Sequence, residues 1–274
     1  MRIHLAMNPY LFGCGVLLAW WLLVLVVVYT RGTSQNRQEF WWGSLACSLL
    51  GFTEPLFVPE YWDPPSILSY GRWDLESFFF CFFIGGIAGV APEWRPLRRL
   101  FLQLDYGVWT LARGIYVRFA RLTGVEPCSE RSDIAMTREE QRQDNAVLGA
   151  IFLGGFGFTA HLGLNVIYDA ALACTLTGAY IAWRRPRLRW QVWAGGLIVT
   201  VIYAVVLWIT GARYPTFYDD YWNLPALTGI RILGAPLEEY VFALTLGAFW
   251  GPLYEAWKDE RQTRARRSDI LRSG

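Results

Sequence analysis

The chain has 274 residues, of which 54% are apolar, 17% aromatic and 18% charged, and its formal net charge is +2. Ordinary soluble domains carry about 25% charged residues, spread along every surface helix. Here the charges are gathered in a few short stretches, which excludes an ordinary soluble domain, and the small net charge gives no reason to expect a nucleic-acid partner.

Seven apolar segments follow one another along the chain, and all but the shorter fifth are close to the roughly 20 residues that a helix needs to cross a bilayer. They are Tyr10–Thr30, Phe40–Pro59, Glu76–Trp94, Val147–Ile167, Asp169–Trp183, Trp190–Thr210 and Pro236–Trp257. The sequence therefore predicts an all-α integral membrane protein with about seven transmembrane helices.

Basic residues fall in alternate loops of this arrangement. They follow spans one, three, five and seven, whereas the loops at 60–75 and 211–235 carry mostly acids and aromatics. Because arginine and lysine in short loops mark the cytoplasmic side, we expect an outside N-terminus, a cytoplasmic C-terminus and a bacterial inner-membrane location.

The stretch between spans three and four carries apolar residues at helical spacing from Phe101 to Leu122, with arginines on the other faces. This pattern is typical of an amphipathic helix lying on the membrane surface, and an eighth span is the alternative. Residues 127–145 are polar and read as a linker. The expected units are 1–97, 98–145 (amphipathic helix and linker), 146–167 (connecting helix), 168–257 and 258–274 (basic tail).

The chain contains an internal repeat. Residues 51–62 and 211–222 share Gly, Pro, Phe, Tyr and Trp at the same positions, and Leu75-Glu76 then matches Leu237-Glu238. Two three-helix units running in the same sense need one extra helix between them, which span four supplies. The prediction is a 3+1+3 arrangement with parallel repeats, whose working site lies where the halves meet.

Carboxylates and aromatics gather at the outer ends of the repeated helices. Acids suit a helix N-terminus, and aromatics suit a membrane interface, so both have a purely structural explanation. A carboxyl in an apolar pocket, however, retains its proton, and the faces of aromatic rings stabilise cations. A proton donor and a stabilised cation are the two requirements for cyclising an alkene through a carbocation.

We expect Glu76 and Glu238 to meet near the pseudo-twofold axis, with Glu54 close by. The candidate catalytic residues are Glu238, Glu239, Glu76 and Glu54, and the candidate substrate-binding residues are Phe57, Trp62, Trp73, Phe78, Tyr214, Trp222, Tyr240 and Phe242.

Two stretches, 54–66 and 234–242, resemble the lycopene cyclase domain, the small membrane type of carotenoid cyclase related to transmembrane terpene cyclases. The resemblance covers roughly residues 40–257, without most of the central loop, and implies non-redox, proton-initiated cyclisation of an isoprenoid, with no cofactor. Its acids carry over to Glu238 and Glu239 through Pro236-Leu-Glu-Glu, and to Glu76. The first half lacks the proline and the second acid. The resemblance therefore implies that only one of the two equivalent sites is complete. The substrate is left open between a carotenoid and a shorter terpenoid.

Other readings of the sequence are a sugar transporter of the SWEET type, which shares the 3+1+3 arrangement, and a non-catalytic isoprenoid-binding protein. A retinal protein is excluded because the last span has no lysine for a Schiff base. Neither a metal nor a dinucleotide is expected. His161 and Asn165, placed on one face of span four with Asp169 a turn further on, favour an interhelical hydrogen bond over a site. The expected partners are a hydrophobic isoprenoid and the bilayer, and a homo-oligomer is left open.

Overall fold

The structure is a computed structural model that describes residues 8–67, 69–70, 72–90, 100–107, 110–111, 138–160 and 163–273. It is nearly all helical. Its helices are α1 (Pro9–Arg31), α2 (Ser34–Ser48), α3 (Glu54–Phe57), α4 (Leu75–Val90), α5 (100–107), α6 (Arg138–Ala160), α7 (Val166–Arg184), α8 (Arg189–Arg213), α9 (Phe217–Tyr221) and α10 (Leu237–Ser273), with a 3₁₀ turn Leu49–Thr53 joining α2 to α3. Two short hairpins pair β1 (Ser69–Tyr70) with β2 (Trp73–Asp74) and β3 (Arg231–Ile232) with β4 (Ala235–Pro236).

Side chains at the helix starts explain several of these boundaries. The Asn8 side chain accepts hydrogen bonds from the backbone N–H groups of Tyr10 and Leu11, and Pro9 occupies the first turn of α1. Thr33 and Asn36 form a reciprocal capping box at α2, and Asn165 caps α7. Each cap satisfies N–H groups that the first helical turn leaves unpaired.

Three helical segments among the described residues are long and apolar enough to cross a membrane: Pro9–Arg31, Val166–Arg184 and Pro186–Arg213. A shorter apolar helix is Leu75–Val90. Many of the outward-facing side chains are large and apolar, including Leu23, Val26, Leu45 and Val201. Such a surface is unusual for a soluble monomer, and it fits a membrane protein.

Close helix pairs form the frame of each half. Helix α2 packs along α4, and α8 packs along α10, while α1 lies against both α4 and α8. The backbones approach closely at glycines: a Cβ on Gly43 or Gly85 would overlap the other residue's carbonyl oxygen, and the same holds for Gly195 and Gly247. Small residues at such crossings are typical of helices packed within membranes.

The two hairpins have the same register, because Ser69 pairs with Asp74 as Arg231 pairs with Pro236. The turns before them meet each other directly. Trp62 and Trp222 form an antiparallel bridge, the Asp63 N–H donates to the Tyr221 carbonyl at 2.8 Å, and the Asn223 N–H donates to the Tyr61 carbonyl at 2.9 Å. Positions that the predicted repeat would equate thus bond to each other in both directions.

The structure differs from the predicted boundaries in several places. The second span, expected over residues 40–59, consists of α2, the 3₁₀ turn and α3 in succession. Helix α6 begins at Arg138, inside the stretch expected to be a linker, where Glu139 and Glu140 favour the helix N-terminus. Helix α10 continues through the basic tail to Ser273. Asn165 caps α7 instead of lying on span four, and His161 lies outside the described residues. Of the amphipathic stretch from Phe101 to Leu122, residues 100–107 and 110–111 are helical and the rest falls outside the described part.

Candidate functional site

One cavity, of about 110 Å³, lies between the two halves at the end where the hairpins sit. It is lined mainly by apolar and aromatic side chains from α3, α4, α8 and α10, among them Phe57, Phe80 and Phe242. Two carboxyls line it as well, Glu54 from the first half and Glu239 from the second. An apolar pocket with a few polar groups is the usual form of a small-molecule site.

Glu239 lies in the first turn of α10 and is 4% exposed. Its Oε1 accepts hydrogen bonds from the Tyr61 hydroxyl at 2.5 Å and from the Trp222 indole N–H at 2.8 Å. Its Oε2 accepts from the Tyr203 hydroxyl at 2.5 Å. Three donors from three separate parts of the chain therefore fix this carboxyl at the junction of the halves.

Glu54 begins α3, where the 3₁₀ turn gives way to helix, and is 4% exposed. Its Oε2 accepts from the backbone N–H of Asp74 at 2.8 Å, which joins it to the first hairpin. Its Oε1 accepts from the Ser77 hydroxyl, and Ser77 in turn shares a 2.8 Å hydrogen bond with the Tyr10 hydroxyl. Tyr10 and Ser77 also line the cavity.

Neither cavity carboxyl has a cationic partner among the described residues. A buried carboxyl without a counter-ion relies on hydrogen bonds or on holding a proton. In the hairpin beside Glu54, outside the apolar helices, burial raises the pKa of the Asp74 carboxyl, and the nearby negative charge of Glu76 raises it further. This end of the first half is therefore a poor environment for additional negative charge.

Glu76 and Glu238 are placed differently from the expectation that they share a cavity. Glu76 accepts from the Ile67 N–H at 2.7 Å and from the Ser66 hydroxyl at 2.7 Å. Glu238 accepts from the Thr228 N–H at 2.8 Å and from the Tyr168 hydroxyl at 2.7 Å. Neither is among the described residues that line the cavity, because each carboxylate turns towards the loop of its own half.

The predicted aromatic residues divide into two groups. Phe57, Trp62 and Phe242 line the cavity, and Trp222 reaches it through its hydrogen bond to Glu239. The other four contact the surrounding structure: Trp73 donates to the Phe52 carbonyl, Phe78 packs on Phe52, Tyr214 packs on Phe12, and Tyr240 donates to the Ile232 carbonyl.

Sequence reasoning did not single out Tyr203, Ser77 or Tyr10 as site residues. Ser77 carried a usable signal, since the repeat that equates Glu76 with Glu238 also equates Ser77 with Glu239. Tyr203 also carried a signal, because it places a hydroxyl in the middle of an apolar span, where a polar group needs a hydrogen-bond partner. Tyr10 had no comparable signal, because a tyrosine at the start of a span is common at membrane interfaces.

Comparison with protein families gives one match. Residues 165–257, about a third of the chain, match the family model described as lycopene cyclase, which confirms the predicted resemblance. The matched stretch contains Tyr203, Trp222 and Glu239. No curated protein and no solved structure matches the chain. The family match supports a function of the carotenoid cyclase type in general.

Proposed function

We propose, from the lycopene cyclase match of the second half and from the carboxyl-lined cavity, that this chain is a membrane cyclase of an acyclic isoprenoid. The reaction is a non-redox isomerisation: a proton adds to the terminal double bond, the resulting cation closes a ring, and a proton leaves. The observation that carries the proposal is that one aromatic cavity is lined by two buried carboxyls, for which the described part of the chain supplies no cationic partner.

The surroundings of the cavity suit a carbocation. Phe57, Phe80 and Phe242 present hydrocarbon and aromatic surface, and the faces of aromatic rings attract positive charge. An apolar lining also keeps water away from the cation, which would otherwise be trapped as an alcohol. General acid catalysis contributes about 10²–10⁴-fold, so electrostatic stabilisation of the cation must supply much of the remaining acceleration.

The proposed architecture is a seven-span bundle built from two parallel three-helix units with α6 between them. The equal registers of the two hairpins and the symmetric hydrogen bonds around Trp62 and Trp222 support the duplication. The seven predicted segments are all largely helical, and three described segments are long and apolar enough to span. In this arrangement the cavity lies between the halves near one membrane surface.

The substrate class is an isoprenoid with a free terminal double bond, either a carotenoid such as lycopene or a shorter terpenoid. The cavity is small and mostly apolar, so it suits the end of a prenyl chain, with the rest of the molecule along the lipid-facing surface. We assign Glu239 and Glu54 to the chemistry. Glu76 and Glu238 hold the loops that shape the cavity, through hydrogen bonds to Ile67 and Thr228.

Product analysis tests the proposal. Membranes containing the chain are incubated with lycopene, and separately with geranylgeraniol, and cyclic products are separated and identified. We expect cyclic product from the unaltered chain, and a loss of at least about 100-fold in Glu239→Gln and in Glu54→Gln.

Glu60→Gln is the matched control, because it makes the same change at an exposed position at the same end of the molecule. It should retain full turnover. The proposal fails if neither substrate gives a cyclic product, or if both cavity variants cyclise as fast as the control.

A further inference from the structure

The two cavity carboxyls are held in different ways, and we propose that this difference divides the reaction between them. Glu54 gives the proton to the double bond, with Ser77 and Tyr10 as positioning residues. Glu239 stays ionised, faces the cation and takes up the proton released after ring closure. The assignment rests on the proposed cyclase function and adds to it the identity of the acid and of the base.

The donors around Glu239 favour its ionised form. The indole N–H of Trp222 can donate and cannot accept, so Oε1 is permanently an acceptor. The hydroxyls of Tyr61 and Tyr203 both donate to Glu239, and neither makes a second hydrogen bond as donor among the described residues. Protonating Glu239 would turn at least one of these hydrogens away from its partner, and a buried donor without an acceptor is unfavourable by about 1–3 kcal/mol.

Glu54 accepts hydrogen bonds from two donors instead of three, so its ionised form is stabilised less than that of Glu239. The only fixed donor that the described residues direct at this carboxyl is the Asp74 N–H, which bonds Oε2. Oε1 faces Ser77, whose oxygen also touches the Tyr10 hydroxyl. A serine hydroxyl both donates and accepts, so a protonated Oε1 can donate to Ser77 while Ser77 donates to Tyr10. The same two hydrogen bonds then persist in reversed sense, and the Tyr10 hydrogen is the one that loses its acceptor.

The position of Ser77 in the repeat gives this arrangement its asymmetry. Ser77 stands where the second half has Glu239, and the carboxyl that reaches this place comes from Glu54 on the preceding helix. The cavity therefore holds one carboxyl of each kind, instead of two equivalent ones. A single proton donor facing a single base is what a one-direction proton transfer across a substrate requires.

The proposed step balances without any redox partner. The Glu54 O–H bond breaks as a C–H bond forms at the terminal alkene carbon, which leaves a tertiary cation. A neighbouring double bond supplies two electrons to close the ring and moves the cation along. Glu239 then removes a proton from the adjacent carbon, whose C–H electrons form the new double bond. Product release admits water, which returns the proton from Glu239 to Glu54.

Infrared spectroscopy tests the protonation states without any substrate. The unaltered chain in lipid nanodiscs is compared with its variants through the C=O stretch of protonated carboxyls. We expect Glu54→Gln to remove one such band, Glu239→Gln to leave it, and Ser77→Ala to shift it, with Ser48→Ala as the matched control. Ser48 is the last residue of α2, and its hydroxyl donates to the Leu45 carbonyl. The inference is overturned if Glu239→Gln removes the band and Glu54→Gln does not.

Turnover provides the second test and separates the inference from the proposed function. In a chain that cyclises its substrate, we expect Ser77→Ala and Tyr10→Phe each to lower kcat at least 10-fold with KM unchanged. Ser77→Thr, which keeps the hydroxyl, should recover most of the loss, and Ser48→Ala should match the unaltered chain. Full kcat in both Ser77→Ala and Tyr10→Phe would overturn the positioning roles while leaving the cyclase function in place.

Discussion

At the scale of single residues, the most informative feature is how the buried carboxyls are satisfied. Glu239 and Glu54 use hydroxyl, indole and backbone donors where soluble enzymes often use arginine or lysine. Neutral donors hold a carboxylate in place and leave the net negative charge of the site intact. That charge is then available to a substrate cation.

Tyr203 provides a direct test of this hydrogen-bonding arrangement. Tyr203→Phe removes one donor from Glu239 and leaves the ring in place. Because hydrogen bonds to charged groups contribute about 1.5–3 kcal/mol, we expect the free energy of unfolding in detergent to fall by about that amount, and cyclisation to slow. Tyr106→Phe makes the same change on a side chain that is 76% exposed and should alter neither quantity. Equal stability of the two variants would contradict the described role of Tyr203.

The sequence was sufficient to nominate some site residues and insufficient for others, for a physical reason. Glu239, Glu54 and Phe57 could be proposed because several acids and aromatics gather at the same end of the predicted spans, and ionisable residues near membrane depth are unusual. The bonds from Tyr61 and Tyr203 to Glu239 join positions 178 and 36 residues apart, and no local pattern encodes such contacts. The turn of Glu76 and Glu238 towards their own loops likewise depends on backbone N–H groups that any residue could supply.

At the scale of elements, close helix pairs set the shape of each half. Gly247 lies where α10 meets the backbone of α8, and an added methyl group would overlap the Gly195 carbonyl oxygen and the Val199 side chain. We expect Gly247→Ala to destabilise the protein by about 1–3 kcal/mol through overpacking, measured by unfolding in detergent. The control is Gly157→Ala in α6, where an added methyl group meets nothing within 4 Å. An equal loss of stability in both variants would contradict the close packing of α8 against α10.

A second interaction between elements lies at the opposite end of α7 from the cavity. Asp144 of α6 accepts from Tyr180 at 2.6 Å and pairs with Arg184 at 2.8 Å and Arg185 at 2.5 Å, with Asp144 and Arg185 almost fully buried. Removing one partner of a buried ion pair typically destabilises by about 3–5 kcal/mol. We expect a loss of this size in Asp144→Asn.

The matched control for Asp144 is Glu139→Gln, which neutralises an exposed acid in the same helix. Thermal unfolding in detergent, followed by circular dichroism, compares the two variants. A melting temperature that falls equally in both would show that charge loss in α6, and not this cluster, matters.

The helices were predictable because each long apolar run had one simple explanation, and the described helices fall on all seven. Boundaries were harder. The early start of α6 depends on Gln141 and Asp144, which are buried against α10 and α7, so a polar stretch that resembles a linker becomes helix through tertiary contacts. The hairpins β1–β2 and β3–β4 were not predicted, since each consists of two-residue strands with no alternating pattern.

At the scale of the whole molecule, the predicted orientation places the hairpin end and the cavity outside and the basic loops inside. Labelling in a background without the five native cysteines tests this. A membrane-impermeant maleimide on intact cells should label Glu60→Cys and should leave Ser34→Cys, at the other end of the second span, unlabelled until the cells are opened. Labelling of both positions in intact cells would contradict the span count, and the reverse pattern would invert the orientation.

Isotope incorporation is the most direct test of proton-initiated cyclisation in the cavity. Membranes containing the chain are incubated with the acyclic isoprenoid in D₂O, and the cyclic product is analysed by mass spectrometry. Because the added proton comes from an exchangeable carboxyl and a different hydrogen leaves, the account predicts one deuterium for each ring formed and an otherwise unchanged elemental composition. A cyclic product that contains no deuterium, or one that has gained oxygen or lost hydrogen, would contradict it.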